Sequence, residues 1–144
     1  MRIFYSALLA LALVPLGLAA QQETFVQPEK LTIETAPVSQ SFTFECRFTT
    51  ECYEAEPCAD TEFTPSLEAR AGGLTEDDTV VEAKLVSDAG DAVLLGVRSG
   101  GTLSLSGGTF EARQLLTIAK DGAARYSLHY ADGPMAISYL GVCK

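Results

Sequence analysis

The chain has 144 residues, 47% of them hydrophobic and 20% charged, and a formal net charge of −9. Those proportions are typical of a soluble single-domain globule and exclude a disordered or low-complexity chain. Nineteen acids against ten lysines and arginines argue against nucleic acid as a partner, because phosphate contacts need clustered cations, and an anionic membrane surface would repel the chain as well.

The first element is a leader. Met1 and Arg2 form a short positive region, and Ala7 to Leu18 is an uninterrupted apolar run. Gly17, Ala19 and Ala20 then precede polar Gln21 and Gln22. This is the pattern of a secretory signal peptide over 1–20, too short and wrongly flanked to span a membrane, with cleavage after Ala19 or Ala20. No cysteine in the leader offers a lipid attachment point. The mature protein is therefore expected to be periplasmic or secreted by a bacterium, without a membrane anchor. Loss of Arg2 makes it one charge more negative.

Residues 21–40 carry scattered apolar side chains and two prolines, Pro28 and Pro37. They read as an extended arm or linker with one short strand near Leu31–Ile33. The domain is expected over 41–144. Phe42, Phe44, Cys46 and Phe48 alternate with polar residues and mark an inward strand face. Phe63, Pro65, Leu67 and Ala69 form a second strand, where Pro65 implies an edge or a bulge. Val81, Ala83 and Leu85 follow; strand is favoured over helix there because of the alternation and the Val80-Val81 pair. Further strand faces are Val93, Leu95 and Val97, then Leu103 and Leu105, then Phe110 and Ala112. The last three runs are the clearest: Leu116 and Ile118; Tyr126, Leu128 and Tyr130; Met135, Ile137 and Tyr139. They are separated by Asp121-Gly122 and Asp132-Gly133, strong hairpin signals. The expectation is an all-β antiparallel meander of about eight strands, a closed barrel in preference to a two-sheet sandwich.

All four cysteines, Cys46, Cys52, Cys58 and Cys143, lie beyond the leader. An even count in an exported small domain reads as two disulfides. The C-x5-C-x5-C spacing and a single histidine do not suit zinc, so no metal is expected. A redox role has no C-x-x-C to support it, and acidic neighbours would raise a thiol pKa. Four cysteines allow three pairings. The favoured one joins Cys46 in the first strand to Cys143 in the last, and Cys52 to Cys58 across a turn. The long loop would stabilise by up to ~4–5 kcal/mol in the chain-entropy model.

Catalytic patterns are scarce. His129 is the sole histidine, expected to face solvent, and a Ser–His–Asp site would have to combine it with Ser127 or Ser138. The glycine pairs lack a phosphate-loop ending, and Asp77-Asp78 and Asp88/Asp91 lack calcium-loop order. No enzyme activity and no cofactor are expected. The densest feature is acidic: Glu45, Glu51, Glu54, Glu56, Asp60 and Glu62 within eighteen residues, interleaved with Cys52, Tyr53 and Cys58. Bridged, this becomes a rigid acidic loop carrying an exposed tyrosine. Glu51, Tyr53, Glu54, Glu56 and Asp60 are the candidate contacts to a basic protein, on an otherwise monomeric chain. Glu54 and Glu56 as a glycoside-hydrolase pair lack an apolar pocket to raise one pKa.

In layout the chain is similar to the periplasmic inhibitors of lysozyme: an export signal, a cysteine in the first strand, another at the C-terminus and a small β-barrel between. The resemblance implies an inhibitor-like role against a basic enzyme. That family's loop motifs are not matched, the chain has no tryptophan, and no residue is carried over. The alternative expectation is a lipocalin-like carrier with a small apolar ligand inside the barrel, where Ala69, Ala83 and Ala112 would leave room.

Overall fold

The computed structural model describes residues 32–144. The expected signal peptide and cleavage point, and the expected arm up to Leu31, lie outside the described residues. Nine strands follow in order: β1 (Val38–Tyr53), β2 (Ala59–Phe63), β3 (Ser66–Gly73), β4 (Asp78–Val86), β5 (Ala92–Ser99), β6 (Thr102–Gly108), β7 (Ala112–Ile118), β8 (Ala123–Tyr130) and β9 (Met135–Cys143). Every pairing is antiparallel. From β3 onward each strand pairs with the next, and β9 returns to pair with β1, so the single sheet closes into a ring. The described residues contain no helix.

The run expected from Phe63 to Ala69 breaks into β2 and β3, whereas Ala112 and Leu116–Ile118, expected as separate runs, form the single strand β7. β2 and β3 are successive pieces along one edge of β1, with Phe63 opposite Phe48 and Ser66 opposite Glu45, while β9 takes the other edge. Pro65, fully buried, has no N–H to give the ladder, so pairing lapses there. Its carbonyl still accepts from the Cys46 N–H at 2.9 Å.

The two ends of the meander meet at Cys46 and Cys143, directly opposite each other and bonded as a disulfide. The second disulfide joins Cys52 to Cys58. Next to the first, Glu45 and Lys144 exchange backbone hydrogen bonds at 2.8 and 3.0 Å. That leaves Cys46 and Cys143 as a non-hydrogen-bonded pair, the kind whose side chains come closest. Two disulfides form and persist in an oxidising compartment.

Phe48, Leu67, Val81, Leu94, Leu105 and Leu116 fill the barrel at mid-height, each fully buried. Around Phe48, the rings of Phe63, Tyr126 and Tyr139 pack with centroids 5.1–6.3 Å apart, within the usual aromatic range.

Three local expectations change. β5 turns Ala92, Leu94 and Gly96 inward, while Val93, Leu95 and Val97 are more than half exposed on the outer face. Gly96 decides the phase: it sits between Val81 of β4 and Leu105 of β6, and a Cβ there would lie 2.9 Å from the Leu105 Cα. Phe110 does not lie in a strand but in the β6–β7 turn, 84% exposed. Ile33 lies in a turn rather than a strand, and β1 starts at Val38, inside the segment expected as an arm. The described part of that arm is tied down by Glu34, paired with Arg70 at 2.9 Å.

Candidate functional site

The candidate acidic loop is the β1–β2 hairpin, and a β-bulge shapes its approach. Through Phe48, β1 presents its even-numbered residues to the core. The pairing of β1 with both β2 and β9 shifts between Phe48 and Thr50: against β9 the extra residue is on β1, against β2 it is on β2. Bulges re-aim the side chains that follow them. Beyond this one, Glu51 stands opposite Tyr139 and Tyr53 opposite Ile137, which places both on the inner side at the barrel's rim. Cys52 is turned to the other face, where its bond to Cys58 closes the hairpin.

At the tip, Glu54 adopts φ 48°, the left-handed conformation that reverses the chain, and the Glu56 N–H donates to the Tyr53 carbonyl at 3.0 Å. The loop is also fastened to β9. The Glu54 N–H donates to the Ala136 carbonyl at 3.1 Å, and the Ala136 N–H donates to a Glu54 carboxylate oxygen. The Tyr53 hydroxyl donates to Met135 Sδ at 3.0 Å, leaving the ring 38% exposed. Glu51 lies against the Tyr139 phenol. Burial pushes the Tyr139 pKa up, and the charge and hydrogen bonding of Glu51 push it further.

The five candidate contacts therefore divide. Glu51, Tyr53 and Glu54 gather at the rim, each engaged with β9. Glu56 is exposed at the loop tip. Asp60 is exposed on β2 opposite Thr50, beyond the disulfide from the rim. Glu62 is held by Arg47 at 3.7 Å, an exposed pair of little energetic weight.

The structure adds residues that sequence reading missed. Fastening the loop to Ala136 brings it beside the β8–β9 turn with Asp132. That turn is bonded in its own right to the β6–β7 turn, where the Ala131 N–H donates to the Glu111 carbonyl at 2.9 Å. Glu111 and exposed Phe110 thus join the same end of the barrel. The Thr109 hydroxyl, by hydrogen bonding, holds the Glu111 carboxyl below its ordinary pKa. The signal available was Gly107-Gly108, which ends β6 and makes Thr109–Glu111 a turn; Gly108 has φ 87°. That end of the barrel carries Glu54, Glu56, Glu111 and Asp132 and two accessible rings, Tyr53 and Phe110.

The residues singled out for hydrolysis stand elsewhere. His129 is exposed on the outer face, opposite Arg113 and Ala136, and the Ser127 and Ser138 hydroxyls bond each other at 3.2 Å. The Glu54 carboxylate is bonded to β9. Among the described residues, no three His, Cys, Asp or Glu side chains are grouped to hold a metal, and no helix is long and apolar enough to cross a membrane. Compared with protein-family models, curated proteins and solved structures, the chain matches none.

Proposed function

We propose that this protein is a non-catalytic binding module, exported to the periplasm or beyond, that docks a basic protein on its acidic rim. One observation carries the reading: Phe110, 84% exposed, and Tyr53, 38% exposed, stand at the same end as a loop fixed by a disulfide and by bonds to β9. A large exposed ring costs hydration unless something covers it, and aromatic side chains dominate binding hot spots. Surrounding carboxylates steer a cationic partner and keep unlike partners away. A prefixed loop loses less conformational freedom on binding than a free one. The two disulfides and the leader pattern support export, and the layout shared with lysozyme inhibitors supports an inhibitor-like role.

The test is capture from bacterial envelope extract on the immobilised protein, at low salt and at about 0.5 M salt, where screening shortens to a few ångströms. Wild type is compared with Glu56→Lys and with Phe110→Ser, both at exposed positions. A basic protein held by wild type, released by salt and lost from either variant is the expected result. Capture of nothing, or of a protein held equally by all three, overturns the proposal.

A further inference from the structure

At the opposite end of the barrel, β1 runs on past the point where β9 stops. Beyond the Glu45–Lys144 hydrogen bonds, the edge of β1 toward Val38 has no strand beside it among the described residues. The opening is a solvent-facing cup of about 540 Å³, a size typical of sites for small ligands. Its apolar lining is made by Phe42, Phe44, Leu103 and Ile118. The two phenylalanines meet edge to face at 5.6 Å and are only half-buried, so their rings are available to an occupant.

Its charged lining is three cations, Arg98, Lys120 and Lys144, against one acid, Asp121, the reverse of the balance of the molecule as a whole. Arg98 leaves the inner side of β5 and holds its guanidinium 5.7 Å from the centroid of Phe42. Lys120 and Lys144 stand at the margin. Among the described residues Arg47, Arg70 and Lys84 have carboxylate partners; these three cations, like Arg113 and Arg125 elsewhere on the barrel, have none within ion-pairing distance. Of the acids nearby, Asp121 accepts from the Ala123 N–H at 3.0 Å and Asp78 from the Ser99 hydroxyl at 2.5 Å, while Glu76 and Asp77 line the neighbouring hollow that Arg98 and Lys120 also border, beyond ion-pairing distance of both cations. Directly across the ladder from Arg98, the Thr79 hydroxyl is buried without a partner. Buried polar groups are nearly always paired, so this is a further hydrogen-bonding group left over on the same side of the sheet.

We propose that the cup binds a small amphipathic carboxylate, with its hydrocarbon tail against Phe42 and Phe44 and its head on Arg98 and Lys120. Apolar walls with a few convergent cations are the recognition chemistry for such a molecule, and an arginine takes a carboxylate by two parallel hydrogen bonds. This site is independent of the acidic rim and lies at the barrel's mouth, above the filled interior.

The probe is decanoate, titrated into the full-length mature protein by calorimetry, beside decanol and decylamine as neutral and cationic matches. Decanoate is expected to bind saturably and about tenfold or more tighter than either match, a difference that Arg98→Gln removes while leaving decanol binding unchanged. Isotope-edited NMR should place the decanoate chain against Phe42 and Phe44. Thermal melts with both disulfides intact confirm that the variant is folded, and Lys120→Gln serves as the second variant if it is not. Vesicles of phosphatidylglycerol form the last arm, because a lipid headgroup region is also anionic and apolar. Equal affinity for decanol, contacts elsewhere on the barrel, or binding to vesicles with none to decanoate would each overturn the proposal.

Discussion

Glu54 holds Ala136 twice, giving its own N–H to the Ala136 carbonyl and taking the Ala136 N–H on its side chain. One residue in a left-handed conformation thereby extends the β1–β9 ladder past its last regular pair and fixes the acidic loop to the neighbouring hairpin. Replacing it separates the two roles. Glu54→Ala keeps the unfavourable φ and frees the Ala136 amide, at an expected cost of about 1 kcal/mol. Glu54→Gly relieves the backbone and should cost less. Hydrogen exchange at the Ala136 amide reads the effect directly; protection unchanged in Glu54→Ala would show that the side-chain bond contributes nothing.

The two disulfides should differ in worth. Cys46–Cys143 closes a separation of 97 residues and Cys52–Cys58 one of 6. On the chain-entropy account, losing the first costs about 4–5 kcal/mol and losing the second about 2 kcal/mol. Urea denaturation of the two double-alanine variants checks this ordering, and equal losses would contradict it.

Gly96 and Gly133 offer opposed tests of backbone space. At Gly96 an added methyl collides with the β6 backbone, so Gly96→Ala should lose several kcal/mol or fail to fold. Gly133, in a turn with φ 58°, has nothing within 4 Å of the same methyl, and Gly133→Ala should cost only about 1 kcal/mol of conformational strain. Thermal melts that rank the two the other way would refute the inward placement of Gly96.

Stability should fall on the alkaline side. Burial raises the pKa of Tyr126 and of Tyr139 above the ordinary tyrosine value, Tyr139 with added help from Glu51. The folded protein therefore holds these protons more tightly than the unfolded chain does. Their contribution is whole below about pH 10 and is lost as the pH climbs beyond it. Denaturant midpoints measured from about pH 8 to 12 should drop over the upper half of that range. Tyr126→Phe with Tyr139→Phe should flatten the drop, and an unaltered slope in that variant would show that other groups cause it.

What could be read from the sequence follows from how local each signal is. The inward face of Phe42, Phe44, Cys46 and Phe48, and the turns at Asp121-Gly122 and Asp132-Gly133, are written in adjacent residues. β5 was misread because Ala92-Val93-Leu94-Leu95-Gly96-Val97 is apolar in both phases. Period-two alternation has no contrast there, and the bulkier set looked like the core. In the other phase Gly96 stands opposite Leu105, where a Cβ would meet the β6 backbone, a fit that is known only once β5 and β6 are paired. The bulge after Phe48 left no mark in composition, yet it turns Glu51 and Tyr53 to the inner side. The acidic loop was visible because its residues are consecutive. Its neighbours on the rim, Phe110, Glu111 and Asp132, arrive from the far end of the chain only when the ring closes.

The seam of that ring joins the earliest strand to the latest. Every intervening hairpin can assemble from nearby pieces, but the seam waits for β9, and such distant pairings are the slow ones. Until β9 arrives, Cys46 has Cys52 and Cys58 close at hand along the chain and its true mate absent. Oxidation that outran closure would favour bonds within Cys46, Cys52 and Cys58, which thiol–disulfide exchange would then have to reshuffle to reach the pairing seen here.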